Sequence, residues 1–81
     1  MPQDIEIKNK ILLMAKERGR EKSTCPSEVA RSLFPDNWRE HMDEIVDMAI
    51  TLHKQGKVMI TQKGQPVNVE KIKGPIRIKI R

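Results

Sequence analysis

Ala49-Ile50-Thr51-Leu52-His53-Lys54-Gln55-Gly56-Lys57-Val58-Met59-Ile60-Thr61 contains the change of period on which the fold turns. Up to Gly56 the apolar residues recur every three or four positions, as on a helix with one buried face. Beyond it Val58 and Ile60 alternate with Met59 and Thr61, as on a strand. Read backwards, the stripe Trp38, Met42, Ile45, Val46, Ala49 and Leu52 begins at Asn37, which with Glu40 matches a capping box. The pattern predicts a long third helix over residues 38–55. Read forwards, Ile76, Ile78 and Ile80 alternate with Arg77, Lys79 and Arg81, a last strand opened by Gly74-Pro75. The stretch from Gln62 to Pro75 holds the turn formers Lys63, Gly64, Gln65 and Pro66. It is too long to join the two strands as a tight hairpin.

Upstream lie two shorter helices. Ile7, Ile11, Leu12 and Ala15 recur at helical spacing, with Ile5 and Met14 beside them. Asp4 is the expected N-cap, Lys16 and Arg18 suit the negative end, and Gly19 supplies the stop. Residues 20–24 are polar and without period, hence a connector. Thr24 or Cys25 caps the next helix, Pro26 fits its first turn, and Glu28 complements its dipole. That helix runs to about Leu33 with Val29, Ala30 and Leu33 inward, Phe34 just beyond, and Pro35 ending it.

At 81 residues the chain has room for one core, so residues 1–81 are read as one domain. With 37% hydrophobic and 33% charged residues it is neither a disordered tail nor a membrane protein. No apolar run approaches the roughly 18 residues of a spanning helix, and Asp4 and Glu6 spoil the basic start of a signal peptide. A cytoplasmic location is expected. The single cysteine, Cys25, makes no internal disulfide and no zinc quartet. No phosphate loop, dinucleotide turn or catalytic triad is present. The acids Glu40, Asp43, Glu44 and Asp47 sit on a convex face where solvated charge is the rule, and we expect neither an enzyme nor a cofactor.

Three helices followed by an antiparallel pair of strands, whose apolar face must lie on the helices, make an α+β winged helix-turn-helix. A short extra strand between the first two helices would have to fall in residues 22–25. Four blocks carry a resemblance as well. Cys25-Pro26-Ser27-Glu28-Val29-Ala30-Arg31, Pro35-Asp36-Asn37-Trp38-Arg39, Ile60-Thr61-Gln62-Lys63-Gly64 with Val67, and Lys73-Gly74-Pro75-Ile76-Arg77 resemble a bacterial family of small winged-helix domains of unknown function. The resemblance covers nearly the whole chain and implies architecture, not activity. Asp47 and its neighbours depart from the basic third helix of such domains.

Charge supplies the functional expectation. Residues 1–50 hold 8 Lys+Arg against 10 Asp+Glu, a balance of −2, whereas residues 51–81 hold 8 against Glu70 alone, a balance of +7. A positive end of this kind attracts polyanions and makes nucleic acid the first candidate partner. The same charges would also keep a short hairpin soluble and its edge unpaired. On the third helix the outward positions are Arg39, Glu40, Asp43, Glu44, Asp47, Thr51 and Lys54. Pressed against phosphates, its carboxylates would repel, and no mid-helix Arg or Asn is placed to read a base. The remaining mode is wing-led: Lys63, Gly64, Gln65, Arg77, Lys79 and Arg81 meet the backbone, and Arg31 or the start of the second helix adds a contact. This suits a sequence-tolerant binder in a transcriptional regulator or assembly. The competing expectation is a protein-interaction or self-association module that uses the acidic third helix.

Smaller signals weigh less. Cys25 could act as a redox sensor, yet no second cysteine could resolve it, and a small semi-buried residue is the plainer role. His41 and His53 stand twelve apart and cannot share a metal unaided, while His41 with Glu44 reads as a solvated pair, so no metal site is assigned. Trp38 could stack on a base but heads the apolar stripe, which favours the core. Met14, Met42, Met48 and Met59 read as gap fillers.

Overall fold

A computed structural model describes residues 2–69 and 74–81. Lys73, from the fourth resemblance block, lies outside them. Helix α1 spans Pro2–Arg18, so Asp4 lies in the first turn instead of capping it; its charge still faces the positive end of the helix. Helix α2 spans Pro26–Leu33 and is entered through Cys25, whose extended backbone (φ −108°, ψ 155°) makes the cap without a side-chain hydrogen bond. The amides of Glu28 and Val29 both donate to the Cys25 carbonyl, and Pro26 fills the first position, where no N–H is needed.

The third helix differs from the continuous rod expected over residues 38–55. A 3-10 turn, Trp38–His41, precedes helix α3, Met42–Lys54. Asn37 leads into that turn without a side-chain cap. The Glu40 amide donates to the Asn37 carbonyl at 3.1 Å, and the Asn37 amide side chain donates to the Glu40 carboxylate at 3.4 Å. Closure after three residues takes the place of the reciprocal bonds of a capping box. The far end of α3 behaves as its sequence says. Gly56 sits at φ +77°, its amide donates to the His53 carbonyl, and the Lys57 amide donates to that of Leu52, the paired bonds of a glycine-terminated helix.

Strand β1, Val58–Gln62, is the centre of a three-stranded antiparallel sheet, with β2, Gln65–Pro66, on one side and β3, Arg77–Ile80, on the other. The expected pair is β1 with β3, in register Val58 to Ile80 and Thr61 to Arg77. The long connection turns back early, through Lys63-Gly64, and lays β2 against the other edge with Gln62 opposite Gln65. Thr61 is paired on both sides and is buried, which interrupts the outward alternation of β1. The extra strand considered at residues 22–25 is reduced to one bridge. Thr24 and Ile78 exchange both main-chain hydrogen bonds, at 2.8 and 2.7 Å.

The core gathers Ile7, Ile11 and Ala15 of α1, Val29 and Ala30 of α2, Ile45, Ala49 and Leu52 of α3, and Val58, Ile60, Ile76 and Ile78 of the sheet. Leu12, Leu33, Phe34, Trp38, Met42 and Val46 pack against it half-buried, while Ile5 stays exposed. Each fully buried Ile or Leu contributes roughly 1.5–3 kcal/mol of transfer free energy. α1 touches both α3 and β3, so the wing is packed on the helices. Three helices followed by the antiparallel sheet give the α+β arrangement of a winged helix. No helix among the described residues is long and apolar enough to cross a membrane.

Candidate nucleic-acid interface

The turn that makes β2 also sets out the tip of the wing. Lys63 (φ +52°) and Gly64 (φ +80°) are both left-handed, the geometry of a two-residue type I′ turn. Gly64 costs little there, whereas Lys63 carries a Cβ that disfavours it. Both residues are exposed, as is Gln65 at the start of β2. Lys63 makes no ion pair or hydrogen bond among the described residues.

Arg77 is placed beside it. Gln62, Lys63, Pro75 and Arg77 line one hollow of about 580 Å³, and the Gln62 side chain fixes its wall by donating to the Pro75 carbonyl at 3.0 Å. Among the described residues no carboxylate lines this hollow. Arg77 is less free than an open wing cation. Its Nε donates to the Ser23 hydroxyl at 2.9 Å and its Nη2 to the Ser23 carbonyl at 3.0 Å, which holds the guanidinium against the connector between α1 and α2. Just past that connector, Glu28 in the first turn of α2 is a hub whose carboxylate accepts hydrogen bonds from Arg18 and from the buried Thr24 hydroxyl. Burial pushes the Glu28 carboxyl up. The Thr24 hydrogen bond, the Arg18 charge, a Cys25 hydrogen bond and the Arg77 charge outweigh that and leave it below its ordinary value.

The other expected cations are strung out. Lys79 follows Arg77 on the outward side of β3 opposite Met59, half-buried. Arg81 is exposed past the Val58 end of the sheet, about 13 Å of strand from Arg77 at the usual rise. Arg31 lies elsewhere again. It is exposed on α2, and its guanidinium carbon stands 4.4 Å from the centre of the Trp38 ring. Lys63 and Arg77 therefore share a site, while Lys79, Arg81 and Arg31 do not line it.

On α3 the outward set is as expected. Asp43, Glu44, Asp47, Thr51 and Lys54 are exposed, as are Arg39 and Glu40 in the 3-10 turn. Glu44 engages His41 at 3.2 Å, and His41 stacks on Phe34 with ring centres 3.7 Å apart. His53 is occupied at Nδ1, which accepts the Ile60 amide at 3.3 Å. Cys25 is half-buried with Sγ 3.0 Å from the Ser27 hydroxyl. Ser23 escaped the sequence reading, because the polar connector has no period to mark which of its residues meets the wing; the bonds of Glu28, read only as a complement to the helix dipole, and of Gln62 were not foreseen either.

A family model described as a protein of unknown function, DUF3253, matches residues 4–81. The chain belongs to that family. Comparison with curated proteins found no match. The DUF3253 match takes in all the elements above from the first turn of α1 onward, so helices and wing are one family unit.

Proposed function

We propose that this DUF3253 domain binds nucleic acid through sequence-tolerant phosphate contacts made by its wing, as a non-catalytic part of a bacterial, cytoplasmic transcriptional regulator or assembly. The supporting observation is that Lys63 and Arg77 line one hollow at the basic end of the chain, with no carboxylate beside them among the described residues. Phosphates of a duplex recur every few ångströms, and a lysine at a turn tip with a tethered arginine lining the same hollow offers N–H donors to such a backbone. The carboxylates of α3 argue against insertion of its middle into a groove, since Asp43, Glu44 and Asp47 are exposed there.

Fluorescence anisotropy of a labelled duplex, titrated at rising salt, tests the proposal. Four phosphate contacts would give a slope near about −3.6 in log Kobs against log salt, roughly a hundredfold between ~50 and ~200 mM. Lys63→Asn removes the charge and keeps a residue that accepts the left-handed turn. It should weaken binding and lower the slope by about 1. In a resonance-resolved titration the shifts should fall on residues 61–65 and 76–81. Absence of affinity at low salt, or shifts centred on Asp43 and Asp47, would overturn the reading.

A further inference from the structure

The corner between α2 and α3 carries a second cationic arrangement. Arg31 stands 4.4 Å from the centre of the Trp38 ring and Arg39 stands 5.0 Å from it, so two guanidiniums share one indole. Both arginines are exposed and Trp38 is half-buried against the core, which makes the ring a fixed mount for two otherwise mobile side chains. The indole holds the guanidiniums through its quadrupole and takes none of their in-plane N–H groups. Among the described residues neither arginine has a hydrogen bond or an ion pair, although Asp36 and Glu40 line the same hollow as Trp38 and Arg39. Glu40 is instead engaged by Asn37.

We propose that Arg31 and Arg39, mounted on Trp38, form a second phosphate clamp that takes the nucleic-acid backbone while the wing holds it elsewhere. This inference rests on the nucleic-acid reading of the wing. It supplies what that reading lacks on the helical side, a contact ahead of the acidic stretch at Asp43 to Asp47. Planar forks suit phosphate oxygens bidentately, and side chains ordered beforehand lose less entropy on binding. In a helix-turn-helix the start of the second helix lies nearest the duplex, which places this corner, and not the middle of α3, against it. The domain would then straddle the backbone at two points.

Trp38 is the only tryptophan and the chain has no tyrosine, so intrinsic emission reports on this corner alone. A short duplex should change Trp38 emission with the midpoint seen by anisotropy of the labelled duplex. Arg31→Ala with Arg39→Ala should weaken binding by about tenfold and lower the salt slope by about 2, with Lys63 still contributing. The charge-preserving pair Arg31→Lys and Arg39→Lys should keep the slope but lose part of the affinity, which separates the clamp from simple charge and from misfolding. Binding by anisotropy with unchanged Trp38 emission and an unaffected double-alanine variant would overturn the clamp and leave the wing reading standing. A poly-glutamate peptide that moved Trp38 emission with the same midpoint as the duplex would overturn the choice of phosphodiester. No binding by either readout would overturn both proposals.

Discussion

Glu28 joins three parts of the molecule through one carboxylate: Arg18 at the end of α1, Thr24 beside the wing and, through its field, Arg77 on β3. Its folded pKa is lowered from 4.5, so the unfolded chain binds more protons between the two values and stability rises with pH there. The contribution is complete above the unfolded value and is lost as pH falls through the folded one. Glu28→Gln should cost about 1 kcal/mol at neutral pH, with Arg18 and Glu28 both partly solvated. Urea midpoints of the two proteins should converge in acid; a constant gap at all pH values would show the charge to be irrelevant. Thr24→Val leaves the shape and deletes the buried donor, and should cost about 1–2 kcal/mol in the same assay. These ties were not legible in the sequence. Ser23 and Thr24 lie in a connector whose partners on β3, Arg77 and Ile78, are far along the chain, and no local pattern encodes such pairing.

At the scale of elements the reading went further. The stripe Ile45, Ala49, Leu52 and the change of period after Gly56 were legible because burial of one face imposes spacing on the sequence. The start of α3 was not, since Asn37 and Glu40 stand three apart in a 3-10 closure just as in a capping box. Strand β2 is two residues with a proline among turn formers, too short for any period to show. The turn before it yields a sharp expectation. Lys63→Asn places the residue favoured at the first position of an Asn-Gly turn and should raise stability by about 0.5–1 kcal/mol, even as it weakens nucleic-acid binding. Gly64→Ala, at φ +80° with open space around it, should lower stability by about 1–2 kcal/mol through the backbone alone. A chemical-denaturation curve for each decides it: equal midpoints for the two variants would mean that the turn geometry is not what ties β2 to β1. Of the candidate site, Lys63 and Arg77 were legible from charge and period, whereas the contact of Arg31 with Trp38 was not. Pro35 ends α2 and the chain changes direction there, so residues seven apart meet across a corner instead of along one helix.

For the whole molecule, one small core bears every load. At roughly 0.05–0.15 kcal/mol per residue a chain of this size has a net stability of about 4–12 kcal/mol. Ile78 is fully buried, opposite Ile60 on one side and bridged to Thr24 on the other. Ile78→Ala should therefore cost about 2–5 kcal/mol, a large share of the total, and lower the melting temperature by more than ten degrees or so. A calorimetric shift of only a degree or two would mean that β3 is peripheral to the core. Charge is also a property of the whole: an acidic helix beside a basic sheet edge makes attraction to polyanions one-sided, which fixes the orientation of approach more than its affinity.

The bridge between Thr24 and Ile78 sets a schedule for synthesis. The helices leave the ribosome first, and at about 5–20 residues per second the strand that covers them is finished roughly three to ten seconds after Thr24 is made. During that interval Ile7 and Ile11 have no β3 to pack on, so nascent chains arrested before residue 76 should be bound by holding chaperones and cut readily by proteases, while chains released after residue 80 should resist both. The late tie leaves the helical half exposed to quality control for the whole of that wait.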